Sequence, residues 1–70
     1  MNDKNNRKQL MSNLARQRSN QGISQSQMAD MLRISQSYVS DIESGNRRIT
    51  LELYVMWRDK LSLNNNFLND

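Results

Sequence analysis

Apolar residues recur along this chain at helical spacing. Leu10, Leu14 and Ala15, with Met11 beside them, trace one face of a first segment, and Met28, Ala29 and Leu32 trace one face of a second. Val39 and Ile42, flanked by Tyr38, mark a third, and a longer apolar stretch runs from Leu51 to Leu61. No run of alternating β-branched residues suggests a strand, proline is absent, and glycine occurs only at Gly22 and Gly45. The pattern therefore predicts an all-α fold. Gly22 should stop the first helix by taking a positive φ. Ser24 should open the second, because Gln27 three positions on completes a capping box in which two backbone amides are satisfied reciprocally. Arg33 to Ser35 reads as a short turn with Ile34 as its apolar plug, and the Ser35 hydroxyl caps a third helix that ends at Gly45. Thr50 caps a fourth helix running to about Leu61, with Glu52 in its first turn, where a negative charge suits the helix dipole.

The fourth helix carries more apolar surface than its own core can use. Leu51, Tyr54, Val55, Arg58 and Leu61 lie along one side, and Leu53, Met56 and Trp57 along another. Trp57 could fill the core, but with Leu53 and Met56 on the same flank the surplus favours a dimer seam for all three, which Leu63 and Phe67 from the C-terminal stretch extend. A second copy would also supplement a domain of only 70 residues, whose single core leaves stability near the margin.

Composition narrows the function. With neither cysteine nor histidine, disulfides are excluded and the common zinc sites have no ligands, so no metal or cofactor is expected. The same absence removes the commonest general base and the most reactive nucleophile, and the chain has no glycine-rich phosphate loop. Only Asp30, Asp41, Glu43, Glu52 and Asp59 are left for an enzymatic reading, and they do not converge in this helical arrangement. The longest apolar run falls far short of the ~20 residues that span a bilayer, and the first residues lack a signal peptide's apolar core, so a cytoplasmic protein without a membrane partner is expected. Ten Lys and Arg against seven Asp and Glu, a formal +3, favour an anionic partner.

The third helix supplies the chemistry for one. At about 100° per residue, Gln36, Ser37, Ser40, Asp41 and Ser44 fall opposite Val39 and Ile42. Short polar side chains let a helix backbone approach a base-pair edge, and the Gln36 amide donates and accepts at once, as the major-groove edge of adenine requires. Asp41 either accepts from cytosine N4 or holds a neighbouring side chain in place. Arg47 and Arg48, just beyond the glycine cap, are placed to grip phosphates.

A helix, a tight turn and a second helix with this apolar set make the helix-turn-helix arrangement. The stretch "ISQSQMADMLRISQSYVSDIESGNRRITLELY" resembles the Cro and lambda-repressor family of helix-turn-helix regulators, in register from about Leu14 to Leu61. The resemblance implies a compact four- to five-helix domain over residues 7–63, with the motif at about 25–44, a polar tail at 1–6 and a C-terminal tail or dimerisation extension at 64–70. It implies base contacts from Gln36, Ser37 and Asp41, with Ser40 an adjacent candidate, and phosphate contacts from Gln25, Asn46, Arg47 and Arg48; Ser35 and Tyr38 are further phosphate-contact candidates. It pairs Arg18 with Glu43 as a tie between the first and third helices. Arg33 stands where the family usually has glycine, so either it accepts a left-handed backbone at a cost of order 1 kcal/mol or the turn is reshaped. Ile49 replaces a frequent proline, which affects the stiffness of the loop.

The expected function is a sequence-specific regulator of transcription that binds a near-palindromic double-stranded DNA operator as a homodimer and represses. An antitoxin-like protein-interaction module on the same fold is the alternative. RNA polymerase or a cognate toxin are the further partners that the resemblance leaves open.

Overall fold

The computed structural model describes the backbone over residues 3–69 and the side chains over residues 9–62. Outside those side chains fall the whole tail set at 1–6, the interface candidates Leu63 and Phe67, and the extension set at 64–70. The described residues form four helices and no strand: α1 (Asp3–Asn20), α2 (Gln25–Leu32), α3 (Gln36–Ser44) and α4 (Leu51–Asn69). The fourth helix therefore continues well past Leu61.

The starts of α2, α3 and α4 are each set by a side chain named from local spacing alone. Ser24 Oγ accepts from the Gln27 amide at 3.0 Å while Gln27 Oε1 accepts from the Ser24 amide at 2.8 Å, which closes the capping box. Ser35 Oγ accepts from the Tyr38 amide at 3.1 Å, and Thr50 Oγ1 from the Leu53 amide at 3.0 Å.

The first three helices end in the same way. Beyond the last turn comes a residue of positive φ, Gly22 at 75°, Arg33 at 60° or Gly45 at 84°. The next amide reaches back to the carbonyl five residues earlier: Ile23 to Arg18, Ile34 to Ala29 and Asn46 to Asp41. These are Schellman closures, which satisfy helix-end carbonyls and need a left-handed residue. At the turn between α2 and α3, the left-handed alternative is the one adopted. Ile34 packs against the core from just behind it, so the apolar contact that accompanies such closures helps hold Arg33 in place. Arg33→Gly is expected to raise the unfolding free energy by about 0.5–1 kcal/mol, the relief of a side chain in the left-handed region less the extra freedom of the unfolded chain. Urea denaturation followed by circular dichroism measures it.

The core draws on all four helices: Met11 and Leu14, then Met28, Ala29 and Leu32, then Val39 and Ile42, and finally Leu53, Trp57 and Leu61. Two sequence expectations are corrected here. Leu10 is 41% exposed, so Met11 and Leu14 carry the packing of α1. On α4, Leu53 and Trp57 belong to the core, not to a dimer seam; Trp57 is wholly enclosed and Leu53 is 7% exposed. Their i, i+4, i+8 row with Leu61 faces inward, leaving Leu51 and Val55 outside, 79% and 47% exposed, with Met56 also open. Volume explains the choice: the indole is the largest enclosed side chain, and burying it gains more than burying Leu51 or Val55 in its place.

Candidate nucleic-acid interface

The α3 helix is placed by its buried edge. Val39 and Ile42 are fully enclosed against α1 and α2, which turns Gln36, Ser37, Asp41 and Ser44 to solvent, with Ser40 half-buried at the margin. Among the described residues, the side chains of Gln36, Ser40 and Asp41 form no hydrogen bond or ion pair, so the donors and acceptors needed for base edges stand open. Ser35 and Ser37 hydroxyls lie 3.3 Å apart at the start of the helix, and the Ser44 hydroxyl turns back to donate to the Asp41 carbonyl at 3.1 Å.

The basic loop is held close to this face. Both the Asn46 and Arg47 amides donate to the Asp41 carbonyl, at 2.9 and 3.2 Å, folding the chain back over the end of α3. Asn46, Arg47 and Arg48 are all exposed. The Arg47 guanidinium carbon stands 4.1 Å from the centre of the Tyr38 ring, a cation–π stack that links loop and helix. Sequence reasoning missed this contact; an aromatic residue in the first turn of α3 and an arginine just past its glycine cap were the available signal.

Behind the face, one carboxylate joins three helices. Arg18 Nε donates to Glu43 Oε2 at 2.7 Å and Arg18 Nη2 to Glu43 Oε1 at 3.1 Å, a two-pronged pair from α1 to α3. Arg18 Nη1 also donates to the Ile23 carbonyl, which ties the α1–α2 turn to the same side chain. Gln25, at the start of α2, donates from Nε2 to Glu43 Oε1 at 2.9 Å. The residue expected from the resemblance as a phosphate clamp thus serves as a strut, with one N–H and its amide oxygen still open. That Gln25 link was not foreseen, since its partner lies 18 residues away on another helix.

The structure thus places Gln36, Ser37 and Asp41 on the exposed side of α3 with Ser40 at its margin, Ser35 and Tyr38 at the start of the helix, and Asn46, Arg47 and Arg48 in the loop after its end, with Gln25 tied to the helix through Glu43. It removes Leu53 and Trp57 from any outer surface. Among the described residues no helix is long and apolar enough to cross a membrane, and no three acidic side chains cluster to hold a metal ion.

An exposed polar helix, set after a tight turn and backed by a packed partner helix, defines a DNA-binding helix-turn-helix protein. The helix-turn-helix family matches residues 14–56, more than half of the chain, and the chain belongs to that family in its Cro and lambda-repressor branch. Its coarse role follows: a DNA-binding regulator of transcription. No curated protein and no solved structure matches the chain.

Proposed function

We propose that this protein represses transcription in the cytoplasm by covering a near-palindromic operator as a homodimer. The observation that carries the reading is the α3 face itself, polar and largely exposed, with the side chains of Gln36, Ser40 and Asp41 unpaired among the described residues and the basic loop folded against its end. Gln36, Ser37, Ser40 and Asp41 lie against base edges, while Ser35, Asn46, Arg47 and Arg48, with the free amide atoms of Gln25, hold the sugar-phosphate rail. Two such helices related by a two-fold axis enter successive major grooves about 34 Å apart, and the bound dimer occludes the promoter. Among the described residues of α4, Leu51, Val55 and Met56 are exposed apolar side chains open to a second copy.

Gln36→Ala is expected to cost ~1–3 kcal/mol on the specific site and little on random duplex, whereas Arg47→Ala weakens both and lowers the slope of log K against log salt by about 1. Equal losses on both duplexes for Gln36→Ala would remove that residue from base readout. Recovering bound genomic fragments and reading their sequence tests the assembly: symmetric sites support a dimer, and asymmetric single half-sites contradict it. The exposed side chains of α4 also favour a second reading, docking on a partner protein such as a toxin. A protein that co-purifies in fixed ratio and binds no genomic fragment would establish that reading instead.

A further inference from the structure

Arg47 and Arg48 are adjacent in sequence but differently held. Among the described residues the Arg48 side chain has no partner, whereas the Arg47 guanidinium lies over the Tyr38 ring at 4.1 Å. Both ends of the Arg47 side chain are fixed, because its backbone amide donates to the Asp41 carbonyl at 3.2 Å. The platform beneath it is fixed too. Tyr38 is half-buried, packs against the core cluster, and its amide donates to Ser35 Oγ. Its hydroxyl forms no hydrogen bond among the described residues.

A guanidinium stacked on a ring uses its face and leaves its edge N–H groups free, and those edges are the groups that fork onto a phosphate. An unheld arginine loses rotamer freedom when it grips a phosphate; one already stacked has lost part of it beforehand. We propose that Tyr38 is a positioning residue for DNA binding, in which the ring aims the Arg47 guanidinium at the backbone and the hydroxyl makes no necessary phosphate contact. This replaces the direct contact expected of Tyr38 from sequence, and it rests on the DNA-binding reading above.

The test combines two measurements on the full chain. In the free protein, nuclear magnetic resonance should show the Arg47 side-chain protons shifted upfield by the ring current in wild type and Tyr38→Phe, and released in Tyr38→Leu. On a short random-sequence duplex, Tyr38→Phe should bind as wild type, and Tyr38→Leu should bind roughly two- to five-fold more weakly, the size of an exposed cation–π contact. In the Arg47→Ala background, Tyr38→Leu should cost nothing further. Circular dichroism checks that each variant is folded; Tyr38→Met fills the same space without a ring face and replaces Tyr38→Leu if the latter does not fold. Equal losses for Tyr38→Phe and Tyr38→Leu would assign the effect to the hydroxyl and overturn the proposal. So would a further loss in the Arg47→Ala background, or the absence of any ring-current shift. A wild-type protein that retains the shift and binds no duplex would overturn the DNA-binding reading, and the positioning role with it.

Discussion

Trp57→Ala is expected to unfold this domain, not merely to separate two copies of it. The indole is wholly enclosed and is the largest side chain in the core, so truncating it removes contacts that α4 makes with the rest of the fold. Large aromatic deletions in cores cost about 3–5 kcal/mol. A single core of this size supplies roughly that much stability altogether, so the variant should lose its cooperative unfolding transition at room temperature. Trp57→Phe should behave differently. Among the described residues the buried indole Nε1 has no hydrogen-bond partner, and phenylalanine gives up some volume but also removes a polar atom whose desolvation costs about 1–3 kcal/mol. The two terms offset, and Trp57→Phe should stay folded with a transition within about 1.5 kcal/mol of wild type. Urea denaturation of the two variants reads both outcomes. A fully folded Trp57→Ala protein that sediments as a smaller species would return the residue to an interface.

The second large effect is expected at Glu43. Its side chain is 7% exposed and that of Arg18 is 13% exposed, and one carboxylate accepts from Arg18 twice and from Gln25 once. Removing one partner of a buried pair costs about 3–5 kcal/mol, because the other charge is left without its counter-charge; the Ile23 carbonyl that Arg18 keeps and its residual access to water lower this toward ~2–3 kcal/mol for Glu43→Ala. Replacing both partners, Arg18→Met with Glu43→Leu, should recover most of that loss, since the desolvation of both charges disappears. Denaturation midpoints of single and double variants measure the difference. A loss under about 0.5 kcal/mol for Glu43→Ala would class the contact with ordinary surface pairs. Glu43 also sits on α3, so its removal should loosen the recognition face and the start of α2 together.

How far these features could be read beforehand depends on their range. The capping box at Ser24 and the caps at Ser35 and Thr50 involve atoms three residues apart, and local spacing settles them. The two faces of α3 were legible for the same reason, since Val39 and Ile42 alone among its neighbours demand burial. The phase of α4 was not. Apolar residues lie on several of its sides, and which row faces inward is decided by how the Trp57 volume fits into the shared core, a tertiary fact absent from any wheel. At Arg33 the residue type allowed two backbones, and the decision came from the closure that brings the Ile34 amide to Ala29. Arg18 and Glu43 were paired only through family resemblance, and no local rule could have brought Gln25 or the Tyr38 stack into view.

The central claim is that the open face of α3 lies against base edges. Selection of bound duplexes from a random pool, run in parallel with wild type and Gln36→Ala, tests it most directly. Wild type should enrich a defined symmetric sequence, and the variant should enrich the same sequence with preference lost at one base pair in each half-site. Identical preferences from the two proteins, or no enrichment by wild type, would contradict it.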